Sequence, residues 1–209
     1  MMKKIDISSW KRKDVFEFYK DMELPRYQIT VELDVKKFYD YVKANKRSFY
    51  FSFMWILLDE LNKIENFRYR FVDGAPSLFD LVSPSFTDKI EDGDTFKIVN
   101  ADFINDIDAF QEKAIQKSKS QGNKFIDLEE EVRQDLIYIT TFPWAKFTQT
   151  SHPSNIDSKD AVPRIGWGKF EKQGEKMMMP LSIEVHHAFV DGFHVGKLIN
   201  QLEKRLEEY

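Results

Sequence analysis

Hydrophobic and polar positions change period several times along this chain, and each change marks an element. Tyr27-Gln28-Ile29-Thr30-Val31-Glu32-Leu33-Asp34 alternates, with Ile29, Val31 and Leu33 on one face, which is the period of a half-buried strand. Upstream, Ser8-Ser9 stands where it can cap a helix from about Trp10 to Met22, with Phe16 and Tyr19 on one side and Leu24-Pro25 as the stop. Val35 to Ala44 reads as a helix. Phe49 to Ile64 is apolar around most of a helical circumference, so it predicts a buried central helix. Short strands are predicted at Phe67 to Val72, Leu78 to Leu81, Ser85 to Asp88 and Thr95 to Asn100, with turns at Asp73-Gly74 and Asp92-Gly93-Asp94. An amphipathic helix follows over Ile104 to Lys117, then a polar connector, Ser118 to Lys124, and an acidic run, Asp127 to Glu131. Strand patterns return at Leu136 to Thr141, Arg164 to Phe170 and Met177 to His186. The last helix, Phe193 to Leu206, places Val195, Leu198, Ile199, Leu202 and Leu206 along one stripe. Strands and helices are mixed without a regular βαβ alternation or repeat, which favours an α+β-type fold.

A chain of 209 residues suits one large domain or two small ones, and the only polar connector is a short surface loop. A single domain over residues 1–209 is therefore expected. The 19 phenylalanines, four tryptophans and eight tyrosines suit an aromatic core, a subunit interface or a pocket for a ring-bearing ligand. A formal charge of -4 argues against a nucleic-acid partner, which would need a basic face. Lys11-Arg12-Lys13 and Lys43 to Arg47 read as solvated faces. With no cysteine, thiolate nucleophiles and cysteine metal sites are excluded. No stretch has the length of a membrane span or a signal peptide, so the expectation is a cytoplasmic protein with no membrane partner.

Three of the four histidines fall in Val185-His186-His187-Ala188-Phe189-Val190-Asp191-Gly192-Phe193-His194, between an apolar strand and the closing helix. An imidazole moves protons near neutral pH, a carboxylate four residues on can hold the local backbone, and the glycine permits a turn. Successive strand side chains point to opposite faces, so His186 and His187 take different jobs. No helical His-x-x-x-His is present, and His152 is distant in sequence. No metal is expected.

The run Pro180 to Gly196 resembles the signature of the chloramphenicol acetyltransferase family. Trp10-Lys11-Arg12-Lys13 with Phe16-Glu17-Phe18-Tyr19 is similar to that family's N-terminal helix. Thr140-Thr141-Phe142-Pro143-Trp144 resembles its Ser-Ala-x-Pro-Trp segment, and Gly168-Lys169-Phe170 its coenzyme-side strand. The resemblance implies a two-layer sandwich of a mixed sheet with helices, a homotrimer with active sites between subunits, and acetyl-CoA as cosubstrate. It makes His187 the general base for a small-molecule hydroxyl acceptor, most specifically chloramphenicol, and His186 scaffold. The ring nitrogen of His187 not used as base needs a hydrogen bond to hold it. Asp191 would pair with Arg12 as a brace, and Thr140 would supply the hydroxyl that meets the oxyanion. Trp144, Lys169 and Phe170 match positions on the coenzyme side, where a cation and aromatic faces are useful.

Phe18, Tyr19 and Leu24 match positions associated with the acceptor. Elsewhere the acceptor side departs from the family: Arg26 stands at its cysteine, Thr150, His152 and Ser154 at apolar positions, and Gly166 at a threonine. These changes predict a more polar pocket. A dihydrolipoyl acyltransferase core shares a related His-x-x-x-Asp-Gly signature and is the enzyme alternative; a relative that binds a small ligand without turnover is the other.

Overall fold

The computed structural model describes residues 1–90, 94–154 and 157–209. The turn expected at Asp92-Gly93-Asp94 lies, in its first two residues, outside them. The elements run β1 (Met2–Lys4), α1 (Lys13–Tyr19), β2 (Arg26–Asp34), α2 (Lys36–Ala44) and α3 (Phe49–Asn62), then a 3₁₀ turn (Glu65–Arg68). Next come β3 (Tyr69–Val72), β4 (Ala75–Phe79), β5 (Ser83–Lys89), β6 (Phe96–Asn100), α4 (Ile107–Gln121) and α5 (Leu128–Glu131). The chain closes with β7 (Leu136–Phe142), β8 (Arg164–Gly168), β9 (Glu171–Gln173), β10 (Lys176–His186) and α6 (Gly192–Glu207).

The main sheet runs β2-β10-β8-β7-β5-β6, with β9 paired to β10, and a small sheet runs β1-β4-β3. Pairing is mixed: β5, β7 and β8 are mutually parallel neighbours, whereas β2, β8 and β9 run antiparallel to β10 and β6 runs antiparallel to β5. Along β10, Met179, Leu181, Ile183 and Val185 enter the apolar core, and the alternate residues Ser182, Glu184 and His186 are buried on the other face. Helix α3 is apolar all round because it packs against α2, α4 and α6 at the centre of the helical layer. The expected mixed sheet with a helical layer is present.

Several boundaries differ, each for a local reason. Ser8 and Ser9 do not cap a helix: the Ser8 amide and hydroxyl both turn back on Asp6 Oδ1, at 2.9 and 2.7 Å, and α1 starts only at Lys13. Phe67 lies in a 3₁₀ turn before β3 rather than in a strand. Asp106 caps α4, accepting from Ala109 N at 2.8 Å, so the helix begins at Ile107. It runs on to Gln121 through much of the expected connector, because Ser118 is buried and its carbonyl accepts from Lys97 Nζ at 2.7 Å. The strand expected over Arg164 to Phe170 stops at Gly168, where a side chain would strike Phe147 and Pro180 at 2.8 Å. Among the described residues no helix is long and apolar enough to cross a membrane.

Parallel β7 and β8 need a crossover, and here it is the long segment after Phe142, without a helix among its described residues, that carries Trp144, Thr150, His152 and Ser154. That segment and the turn after β10 are the two places where candidate chemistry collects.

Candidate active site

The pairing of β10 with β2 ends at His186 opposite Arg26, and the chain turns at once. His187 sits in that turn, its N–H donating to the Pro25 carbonyl at 2.8 Å. Arg12 grips the turn from the approach to α1. Its Nη2 donates to the His187 carbonyl at 3.0 Å, Nε to the Ala188 carbonyl at 2.8 Å, and Nη1 pairs with Asp191 Oδ2 at 2.8 Å. The other oxygen of Asp191 accepts from Phe193 N at 3.1 Å and caps α6. Burial pushes the Asp191 carboxyl up, but Arg12 and its neighbours outweigh that and hold it below the usual carboxylate range. Arg12 and Asp191 thus fix backbone, as the brace reading requires.

The His187 ring stacks on Tyr19, with centroids 4.1 Å apart and planes 6° apart, and Tyr27 tilts against it at 4.8 Å. Nδ1 is buried and has no hydrogen-bond partner among the described residues, so the bond expected to hold that nitrogen is absent. Stacking orients the ring instead and leaves Nε2 as the outward nitrogen. The Tyr27 hydroxyl is also buried without a partner, and burial pushes it up to about 12. Orphaned buried polar atoms are rare in plain scaffold, and two of them meet here. Tyr27 carried no sequence signal beyond its place in a strand. Phe18 and Leu24 lie at the same end, both largely exposed, with the Phe18 ring against Tyr19 at 4.9 Å.

His186 is different in every respect. It is 1% exposed, its Nε2 lies 2.9 Å from the Ser158 carbonyl, and its Nδ1 accepts from Ala188 N at 3.1 Å. Burial lowers its pKa to about 4, so it stays neutral and structural.

The Thr140 end is separate. Thr140 pairs with Gly166, which pairs with Ser182, so all three share one level of the sheet. From Ser182 the strand runs four more residues to His186, roughly 13 Å, before the turn that carries His187. One chain does not bring His187 and Thr140 together. Trp144 and Lys169 follow the paired residues Phe142 and Gly168 and share the Thr140 end. Trp144 is 75% exposed, and Lys169 is exposed with its backbone N bonded to Ala145 O at 3.2 Å. Phe170 packs its ring on Tyr39 and Phe49, at 5.2 and 5.4 Å.

Between these ends lies a charged cluster that the sequence did not disclose. Arg26 Nε donates to Glu184 Oε1 at 2.6 Å, and its two Nη atoms donate to the Asp160 and Val162 carbonyls at 2.6 and 2.8 Å. Arg164 pairs with both Glu184 and Asp160. His152 Nδ1 lies 3.2 Å from Glu184 Oε2. Burial pushes the Glu184 carboxyl up, but His152 and the two arginines hold it at about 2. A glutamate in the buried strand run Leu181 to Val185, and an arginine opening another buried strand, were the available signals. A cavity of about 450 Å³ is lined by Phe86, Ile98, Phe125, Thr140, His152 and Arg164, and one of about 300 Å³ by Leu24, Arg26, Tyr27, Ser154 and Glu184. His152 lines both. Thr150 contributes its carbonyl to Gln28 Nε2 rather than a side chain to either cavity. Among the described residues no group of histidine and carboxylate ligands could hold a metal ion.

The family model described as chloramphenicol acetyltransferase matches residues 1–203. This chain belongs to the chloramphenicol acetyltransferase family. A chloramphenicol acetyltransferase of a Klebsiella species is 33% identical over 207 residues, covering 98% of this chain and 94% of the relative. One from Staphylococcus aureus is 29% identical, covering 96% and 94%. A solved chloramphenicol acetyltransferase structure superposes with a TM-score of 0.91 at 28% identity, over 99% of this chain and all of the other. A dihydrolipoamide acetyltransferase of Azotobacter vinelandii reaches a TM-score of 0.71 at 13% identity, over 94% and 88%, which is a likeness of fold alone. The chain is accordingly an acyltransferase of the chloramphenicol acetyltransferase fold, closer in sequence and shape to that family than to the lipoyl-linked cores.

Proposed function

We propose that this chain transfers the acetyl group of acetyl-CoA to a hydroxyl of chloramphenicol, and so confers resistance to it, with His187 as general base. The observation that carries this reading is the held imidazole: stacked on Tyr19, on a turn clamped by Arg12, with Nε2 outward. Nε2 takes the proton of the acceptor hydroxyl as its oxygen bonds to the thioester carbonyl carbon. The carbonyl oxygen becomes an oxyanion and receives a hydrogen bond from the Thr140 hydroxyl. The intermediate collapses with loss of the coenzyme thiolate, which takes the proton back from Nε2 and leaves as the thiol.

Trp144 and Lys169 suit the coenzyme, since an exposed indole and an exposed ammonium stand at the same sheet end as Thr140. The Phe170 ring is engaged with Tyr39 and Phe49, so its part is to hold the base of that end. The stretch of strand between the Thr140 level and the His187 turn, roughly 13 Å, supports a site shared by two copies of the chain, in a homotrimer. Exposed Phe18, Leu24, Phe142 and Trp144 are the apolar surface that such contacts would cover. The use of acetyl-CoA supports a cytoplasmic location.

Release of free thiol from acetyl-CoA in the presence of chloramphenicol tests the activity, and its absence sinks it. Co-expression of His187→Ala chains with Thr140→Val chains tests the shared site. Mixed assemblies are expected to regain turnover that neither variant has alone, because one interface then holds an intact His187 opposite an intact Thr140. No regain would place both residues' roles within one chain or elsewhere.

A further inference from the structure

The sheet face opposite the helices carries a continuous polar row. Register partners run Ser85–Tyr138–Arg164–Glu184–Gln28 across five adjacent strands, so their side chains share one face. The crossover segment between β7 and β8 lays His152 onto this row. Its Nδ1 is 3.2 Å from Glu184 Oε2, and a carboxylate only accepts, so Nδ1 carries the hydrogen and, in the neutral ring, Nε2 presents a lone pair. Nε2 in turn lies 3.7 Å from the place a side-chain carbon on Gly166 would occupy, and the Thr140 methyl lies 3.3 Å from the same place. Imidazole and threonine, which both line the larger cavity, therefore converge on Gly166, one of the two glycines of β8.

Most of that cavity is apolar, and its charged group is committed: the Arg164 guanidinium is held by Glu184 and Asp160. Polar atoms besides the Thr140 hydroxyl remain uncommitted. His152 Nε2 has no partner among the described residues, and the Ser85 hydroxyl, in a residue 3% exposed, is buried without one. A buried hydroxyl without a partner is destabilising unless a ligand supplies it. A pocket that needed only to enclose apolar groups would not hold a histidine in place with a buried carboxylate.

We infer that His152, held by Glu184, is a specificity-determining hydrogen-bond acceptor for the acceptor substrate. It selects alcohols that carry a second hydroxyl or N–H group beside the one to be acetylated. Buried Glu184, itself fixed by Arg26 and Arg164, sets the tautomer and angle of the ring, the role of an outer carboxylate behind a working histidine. Gly166, without a side chain, lets the Thr140 methyl and the imidazole approach one another over the strand. The inference rests on the acceptor entering the cavity beside Thr140, as the proposed reaction requires.

The test compares chloramphenicol with its analogue lacking the secondary hydroxyl, by calorimetric binding and by thiol release from acetyl-CoA. The intact protein is expected to bind chloramphenicol about 10- to 100-fold more tightly than the analogue, the size of one lost bond to an oriented, charge-supported acceptor. His152→Leu should erase that preference by weakening chloramphenicol alone. His152→Gln, which offers a carbonyl acceptor, should restore part of it. Equal binding of the two ligands by the intact protein, including no binding of either, overturns the inference, as does a parallel loss for both in His152→Leu. A clear preference in binding with no thiol release overturns the proposed activity and leaves the selector standing. Thiol release without preference does the reverse.

Discussion

The two ends of the main sheet are built to different degrees of completion. At the His187 end the chain closes its own site: three Arg12 bonds, the Asp191 cap and two tyrosine rings fix one imidazole. At the Thr140 end the threonine lines a cavity, Trp144 stands 75% exposed and Lys169 is exposed. The difference separates what must be rigid from what must admit a ligand. A proton acceptor works only at one position and angle, so folding fixes it in advance. A surface that receives a long cosubstrate, and a neighbouring copy, stays open until they arrive.

The largest predicted effect breaks the closed end at its centre. His187→Ala should lower kcat with chloramphenicol about a thousandfold through loss of the general base. Its thermal midpoint should stay close to that of the parent, because the backbone of the turn is held by Arg12 and Pro25 rather than by the ring. Steady-state kinetics beside a melting curve separate the two; unchanged kcat would remove His187 from the chemistry.

The neighbouring histidine should show the opposite pattern, stability without catalysis. His186 has its pKa lowered from 6.5 to about 4 by burial, so the folded state favours the neutral ring. The associated stability is fully present above pH 6.5 and is lost as pH falls toward 4, to a total of about 3 kcal/mol. Glu184 titrates lower, from 4.5 toward about 2, so the upper part of the window belongs to His186 together with His194, which burial also lowers from its ordinary value. Urea midpoints measured from pH 7 to pH 5 should fall in the parent and fall less steeply in His186→Asn, which keeps only the contribution of His194. A parallel slope in both would refute the assignment.

At the open end, Thr140→Val keeps the shape and removes the donor, and should cost about a hundredfold in kcat with little change in KM. Thr140→Ser should stay within a few fold of the parent, since only the methyl that touches the Gly166 side is lost. If Val and Ser behave alike, the hydroxyl meets no oxyanion.

The unequal construction also explains what could be read from the chain. Periodicity exposed the long core elements, because β2, α3, β10 and α6 bury regular faces. It missed β1 and β9, three-residue strands too short for any period, and mistook Ser8-Ser9 for a cap that Asp6 makes into a turn. At the closed end the residues that matter cluster in sequence, and the Arg12–Asp191 pair was anticipated from the motifs. The charged row was invisible because its members come from β8, β10, β2 and the crossover, and only pairing register brings them together. Likewise, nothing in Tyr27 as a strand residue announces the ring that lies against His187.

The finest test of the comparison keeps charge and changes only geometry. Arg12 reaches three acceptors at once: the carbonyls of His187 and Ala188 and the carboxylate of Asp191. A planar guanidinium can span them, whereas the single ammonium of a lysine can satisfy the carboxylate but not also both carbonyls in their places. In Arg12→Lys the ion pair with Asp191 survives, so the cap on α6 and the fold survive with it. The turn that carries the imidazole is then held at fewer points, and Nε2 spends less time at the angle the acceptor hydroxyl needs. The expected result is a fall in kcat of about tenfold with KM for both substrates unchanged, because the turn bears on the reacting proton rather than on ground-state binding. A rise in KM instead would mean that Arg12 shapes the acceptor pocket directly. An unchanged kcat would mean that stacking on Tyr19 alone is enough to aim the ring, and that the closed end is more rigid than its reaction requires.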